Sequence, residues 1–272
     1  MTGERPGPPG PPVEPAGHDL LAGKVALVTA AAGTGIGSAT ARRLLLEGAT
    51  VVISDTHERR LGQTAAELAE LQAATGPEGE TPLAVPCDVT DEAQVQELFA
   101  AAAERHGRLD VVVNNAGLGG TANLVDMTDD EWQRVVDVTL TGTFRCTRAA
   151  LRILCRQRSG VIVNNASVLG WRAQAGQAHY AAAKAGVMAV TRSAALEAAP
   201  FGVRVNAVAP SLAMHPFLAK VTSDELLDEL AGREAFGRAA APWEVATVIA
   251  FLASDYSSYM TGEVVSVSSQ HP

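Results

Sequence analysis

From Lys24 onward, short runs rich in valine and isoleucine alternate with long alanine-rich stretches of amphipathic pattern, and this alternation limits the possible folds more than any other feature. A run that is apolar at nearly every position has no polar face to leave in water, so it must be covered on both sides. Strands of a parallel sheet crossed by helices are covered in that way. Seven such runs predict strands at 24–29, 50–55, 83–89, 110–116, 160–167, 203–210 and 263–268. The stretches between them carry helix punctuation: Thr128-Asp129-Asp130-Glu131 and Thr222-Ser223-Asp224-Glu225 fit a capping box, and Pro242 suits a first helical position. Gly48 and Gly107 stand where helices should end, while 76–79 and 211–220 read as loops. The expected class is α/β, a single doubly wound seven-stranded parallel sheet with helices on both faces.

The 272 residues, 47% hydrophobic, suit one large domain over 21–272. Residues 1–20 read as a disordered tail rich in Pro and Gly, without the apolar segment of a signal peptide. A net charge of -9 gives no basic footprint, which argues against nucleic acid and anionic membranes as partners. No apolar run approaches the ~20 residues of a membrane span. Cys87, on a predicted strand, and Cys146 and Cys155, on a predicted helix, read as reduced, buried, cytoplasmic thiols, since no pair has metal-type spacing. His179 and His215 lack Cys, Asp or Glu at ligand spacing, so packing is preferred and no metal is expected.

The first run leads into Ala30-Ala31-Ala32-Gly33-Thr34-Gly35-Ile36-Gly37 and then at once into a helical pattern. Small residues let the chain turn tightly and bring backbone N–H groups to a pyrophosphate at the helix N-terminus, so Gly33, Thr34, Gly35, Ile36 and Gly37 are candidate cofactor contacts. The fingerprint is partly kept: counting back from Gly35, an alanine stands where a first glycine is expected. Asp55 ends the second strand twenty residues beyond Gly35, where a carboxylate can accept from an adenosine ribose and repel a 2′-phosphate. NAD is therefore expected over NADP, with Arg59 and Arg60 turned to solvent. Asp88 and Val89 would border the adenine, although Asp88 also suits a helix N-cap. Asn115, Ala116 and Gly117 would pass beneath the nicotinamide ribose. All of these lie at the carboxyl ends of strands, where open α/β sheets bind ligands. The strand ends Val-Val-Asn-Asn-Ala (112–116) and Ile-Val-Asn-Asn-Ala (162–166) resemble each other.

Farther along, Ser167 closes a strand, and Tyr180 and Lys184 lie four residues apart. If 178–199 is helical, phenol and ammonium share one face. An unperturbed tyrosine has a pKa of about 10. A close lysine and a positive nicotinamide ring would lower it enough to make Tyr180 a general base.

With these residues assembled, the chain resembles the short-chain dehydrogenase/reductase family over about 21–268. Asn114-Asn115-Ala116-Gly117, the spacing of Ser167, Tyr180 and Lys184, and the order of all the blocks carry the likeness. The resemblance implies a Rossmann fold, a homotetramer or homodimer, and hydride exchange between a nicotinamide and an alcohol or ketone. In that scheme Ser167, Tyr180 and Lys184 are catalytic, Tyr180 and Lys184 also touch the cofactor, and Pro210 and Leu212 lie beside the nicotinamide. Thr139 stands where the family commonly has a catalytic Asn. Ser211 and His215 replace the usual Gly and carboxamide-contacting Thr, and Ser268-Ser269-Gln270-His271-Pro272 departs from the common Asp-Gly-Gly ending.

The segment 211–234 is the expected substrate lid. Its Leu212, Met214, Phe217 and Leu218 either face a non-polar substrate or pack on the sheet. Trp171 and Arg172 border the expected pocket; Arg172 is a solvated loop residue in the simpler reading, or else a binder of a carboxylate or a CoA phosphate. The wording of 30–37, 171–174 and the C-terminus looks like actinobacterial members acting on CoA thioesters in steroid-ring breakdown, many labelled as resembling 3-oxoacyl carrier-protein reductases. The expected substrate is a hydroxy/oxo alicyclic acyl-CoA. An NADPH-dependent 3-oxoacyl-ACP/CoA reductase and a non-catalytic dinucleotide-sensing protein are the alternatives.

Overall fold

A computed structural model of the chain describes residues 9–75, 81–214 and 224–270, the side chains of 224–226 excepted. The capping box at 222–225, the loop at 76–79, and His215, Phe217 and Leu218 therefore lie wholly or partly outside the described residues. Strands β1 (Val25–Val28), β2 (Thr50–Asp55), β3 (Leu83–Pro86), β4 (Val111–Asn114), β5 (Gly160–Asn165), β6 (Val203–Pro210) and β7 (Val264–Val267) form one parallel sheet of order β3-β2-β1-β4-β5-β6-β7. The reversal of strand order falls between β1 and β4, the crevice in which such sheets take ligands.

Successive strand residues point to opposite faces, and both faces are apolar. Ala26 and Val28 of β1 join Val51, Ile53, Val111, Val113 and Val163 in a core closed by Leu44 of α1 (Ile36–Leu46) and, from the last long helix, Ile249 and Leu252. Val25 and Leu27 join Val52, Val112, Ile162 and Val205 on the other side. That face is covered by Leu98 and Phe99 of α3 (Glu92–His106) and Leu154 from the helix ahead of β5. Between α1 and α3 lies α2 (Glu58–Thr75).

Three strands end two or three residues earlier than the apolar runs suggest, β3 at Pro86, β4 at Asn114 and β5 at Asn165, while β1 and β7 end one residue earlier. Cys87 thus lies just past its strand, though buried, and Cys155 is only half-buried. Helix α4 (Asp129–Val136) has its capping box, with Thr128 Oγ1 accepting from Glu131 N at 3.2 Å and Glu131 Oε2 accepting from Thr128 N at 2.9 Å. A π-helical turn, Asp137–Thr141, then inserts before α5 (Gly142–Gln157), a detail no apolar periodicity foretold. Helix α6 (Ala178–Ala198) precedes β6, and α7 (Asp224–Gly232) and α8 (Pro242–Ala253) precede β7.

Part of the segment read as a tail is fastened to the domain. Arg43 of α1 donates to the carbonyls of Pro15 and Ala16 and pairs with Glu47, whose Oε2 accepts from His18 N at 2.8 Å and Leu20 N at 3.3 Å. Both members of this ion pair are buried. Among the described residues no helix is long and apolar enough to cross a membrane.

Candidate active site

The loop after β1 carries unusual backbone. Ala30 has φ of +49° and Gly33 φ of +88°, the left-handed region that costs a side-chain-bearing residue about 1–2 kcal/mol. Ala30 is held there by Asn115, whose Nδ2 donates to the carbonyls of Thr29 at 3.2 Å and Ala30 at 3.0 Å. Gly37 admits no side chain, because a Cβ would lie 2.2 Å from the Ala30 oxygen. At Gly33 and Gly35, in contrast, a Cβ would meet nothing within 4 Å, and Gly35 caps α1 with no side-chain hydrogen bond. The result is an open backbone cradle at a helix N-terminus, the kind of surface a phosphate group fits.

Asp55 closes β2 with its carboxylate accepting from Ala32 N at 3.1 Å and His57 N at 2.9 Å. Asp55, Asp88, Val89, Ala116 and Gly117 line one cleft together with Ala30. Arg59 and Arg60 are exposed, but Arg60 also lines that cleft. Asp88 is not the cap of α3. That place belongs to Asp91, which accepts from Ala93 N and Gln94 N, while Asp88 Oδ1 accepts from Thr90 N at 2.8 Å.

The similar ends of β4 and β5 prove to be neighbours in register, Asn114 opposite Asn164. Asn114 Nδ2 donates to Asn164 Oδ1 at 2.8 Å, and Asn165 Nδ2 donates to Asn115 Oδ1 at 2.9 Å. Asn164 Nδ2 reaches Thr191 of α6 at 2.9 Å. These amides, all buried but the half-buried Asn115, tie the dinucleotide-type half of the sheet to α6.

Ser167, 8% exposed, caps a short 3-10 turn, with Oγ accepting from Leu169 N at 3.2 Å. Its hydroxyl neighbours the Tyr180 phenol and favours the ionised form. Ser167, Tyr180, Pro210, Leu212 and Ile36 line a cavity of ≈ 390 Å³ beside the cleft. Lys184 is 3% exposed, and its Nζ lies 5.5 Å from the Tyr180 ring centroid and donates to the Asn165 carbonyl at 2.5 Å. A Cβ on Gly117 would come within 3.3 Å of Nζ, so the glycine leaves the ammonium its room. His179 is buried, and its Nδ1 accepts from Tyr180 N at 2.9 Å.

The acidity expected for Tyr180 is not found in the chain alone. Burial pushes the phenol above its ordinary value, and the Ser167 hydroxyl offsets this only in part. Burial also pulls the Lys184 ammonium down to about 8. Desolvation is the largest cause of both shifts, with Lys184 buried and Tyr180 half-buried. Thr139 is wholly buried in the π-helical turn, and its Oγ1 donates to the Leu118 carbonyl at 3.2 Å and accepts from Leu118 N at 3.0 Å. The hydroxyl thus fixes the loop after Gly117.

A family model described as enoyl-(acyl carrier protein) reductase matches residues 30–269. Over 262 residues the chain is 68% identical to the (5R,7aS)-5-hydroxy-7a-methyl-1-oxo-2,3,5,6,7,7a-hexahydro-1H-indene-carboxyl-CoA reductase of Mycobacterium tuberculosis, covering 96% of this chain and 98% of that one. The chain belongs to the short-chain dehydrogenase/reductase family. Another relative, the 3-oxoacyl-[acyl-carrier-protein] reductase of Thermotoga maritima, is 40% identical, with 91% of this chain and 97% of that one covered. A crystal structure of a short chain dehydrogenase from Mycobacterium smegmatis superposes with a TM-score of 0.84 at 62% identity, over 96% of this chain and 98% of that chain. As a short-chain dehydrogenase/reductase, the chain is an oxidoreductase acting on CH–OH groups with a nicotinamide dinucleotide.

Proposed function

We propose that this enzyme is an NAD-dependent oxidoreductase that interconverts a secondary alcohol and a ketone on an alicyclic acyl-CoA, with Ser167, Tyr180 and Lys184 as its catalytic residues. The observation that carries the proposal is the shared cavity: Ser167 and Tyr180 line it together, and Lys184 lies buried against the phenol ring. Hydride exchange at the carbinol carbon is the chemistry a bound dinucleotide supplies. Ser167 donates a hydrogen bond to the substrate oxygen, and Tyr180 passes the proton to or from that oxygen. Lys184 stabilises the phenolate as it forms. A phenol held above its ordinary value stands protonated near neutral pH and can give its proton to a ketone oxygen, with oxidation as the reverse.

The dinucleotide is held, in this reading, by the cradle at Gly33, Thr34, Gly35, Ile36 and Gly37, by Asp55 at the adenosine ribose, and by Asp88 and Val89 at the adenine. Asn115, Ala116 and Gly117 hold the second ribose with Tyr180 and Lys184, and Pro210 and Leu212 border the nicotinamide. Asp55 supports NAD, since a carboxylate at that strand end repels a 2′-phosphate. The acyl-CoA assignment is supported by the 68% identical mycobacterial reductase. The exposed Phe144, Leu196, Phe251 and Tyr259 favour a homotetramer or homodimer, and the three free cysteines a cytoplasmic setting.

A second reading, an NADPH-dependent 3-oxoacyl reductase, is favoured by Arg60 at the cleft and by the Thermotoga relative. Steady-state kinetics with NADH and NADPH on linear 3-oxoacyl-CoA and on ring-ketone acyl-CoA substrates separate the two. The expected outcome is a higher kcat/KM with NADH and the ring substrate. A preference for NADPH and the linear chain would replace the first reading by the second.

A further inference from the structure

We propose that Arg172 is a specificity-determining residue that binds an anionic group of the substrate, a carboxylate or a CoA phosphate, and that Gln270 aims its guanidinium at the cavity. The inference rests on the acyl-CoA reading above. Arg172 and Gln270 line the same cavity as Ser167 and Tyr180. Arg172 donates through Nη1 to Gln270 Oε1, and Gln270 Nε2 donates to Glu234 Oε1 at 2.8 Å. Only one orientation of the Gln270 amide serves both neighbours, oxygen toward the cation and nitrogen toward the carboxylate.

Glu234 anchors this chain. Only 4% exposed, it also accepts through Oε2 from Ser269 N at 3.2 Å and Ser269 Oγ at 2.7 Å. Ser269 and Gln270, within the ending that departs from the family's common one, thus form a bracket at the cavity rim. Arg233 lines the cavity too, but it is engaged by Glu229 at 2.5 Å. Arg172 has, among the described residues, a neutral amide oxygen as its partner and no carboxylate. A half-buried guanidinium whose direct partner among the described residues is a neutral amide oxygen, set in a cavity that also presents Leu169, Leu212 and Leu230, suits an apolar ring bearing an anionic appendage.

The test compares wild type, Arg172→Ala, Arg172→Lys and Gln270→Ala, each with dinucleotide. The substrates are one ring ketone offered as CoA thioester, N-acetylcysteamine thioester, free acid and methyl ester. Arg172→Ala should raise KM about 10- to 100-fold for anionic forms, with kcat changed less than about threefold. Arg172→Lys should recover part of the loss, and Gln270→Ala should show a smaller loss of the same selectivity. A loss confined to the CoA thioester identifies the phosphates as the anion, and one confined to the free acid identifies the carboxylate. An equal loss on all four forms, or none on any, overturns the proposal. If wild type turns over none of them, the acyl-CoA reading fails. Calorimetric titration with a saturated-ring CoA thioester then decides the role of Arg172: wild-type binding weakened at least about tenfold in Arg172→Ala supports it, and equal or undetectable binding overturns it.

Discussion

The Asn165 main-chain oxygen accepts a hydrogen bond from Lys184 Nζ at 2.5 Å, fixing the ammonium to the end of β5 while burial strips it of water. Its pKa falls to about 8. In an unfolded chain the value is about 10.4. Between these limits the unfolded state binds more protons, so stability rises with pH; the contribution is lost as pH falls through about 8. The melting temperature of wild type, measured against Lys184→Met, should therefore climb from pH 7.5 to 9.5. A flat difference would show that the ammonium titrates elsewhere.

Tyr180→Phe keeps the ring that Lys184 faces and removes the hydroxyl beside Ser167. Turnover should fall by about two to four orders of magnitude, the range for a lost proton-transfer group. Dinucleotide affinity, followed by fluorescence titration, should change little. Near-normal turnover would remove Tyr180 from the reaction.

Thr139→Val removes both hydrogen bonds to the Leu118 backbone at nearly constant volume. Leaving those groups without their partner should cost about 1–3 kcal/mol. Thermal melting should register it, and kcat/KM should fall with it because Gly117, next in the chain, adjoins Lys184. Thr139→Ser, which keeps the hydroxyl, should lie close to wild type.

Glu47 is buried with Arg43. Burial pushes its carboxyl up, but the His18 and Leu20 N–H groups and the Arg43 guanidinium together hold it below its ordinary value. The stability it adds is present above the unfolded value of about 4.3 and is lost as pH falls through the lower folded one. Glu47→Gln should cost about 3–5 kcal/mol near neutral pH by stranding Arg43, with the deficit shrinking in acid. Denaturant titrations at pH 7 and pH 3 measure both values.

The sheet was legible in the sequence because strands covered on both faces leave a continuous apolar record: 50–55 and 203–210 have the observed bounds. The runs at 83–89 and 160–167 overshoot, since Cys87, Val89 and Ala166 are buried beyond the last paired residue and so look like strand; that at 110–116 overshoots into the half-buried Asn115 and Ala116. Ser167, Tyr180 and Lys184 stood out through their spacing. Their proton affinities did not, because desolvation depends on what the fold stacks around them. The Glu234–Gln270–Arg172 chain joins residues up to 98 positions apart, and the π-helical turn at Thr139 interrupts no apolar pattern, so neither left a local signal.

The paired asparagines at the ends of β4 and β5 have a consequence for remodelling the enzyme. Their side chains are bonded to one another, to Thr147 of α5, to Thr191 of α6 and to the Thr29 and Ala30 carbonyls. Grafting a new 171–177 or 211–234 segment from a relative should therefore swap the substrate repertoire while the reacting groups stay aligned, whereas a transplant that breaks one amide pair would misalign them whatever rim is built on top.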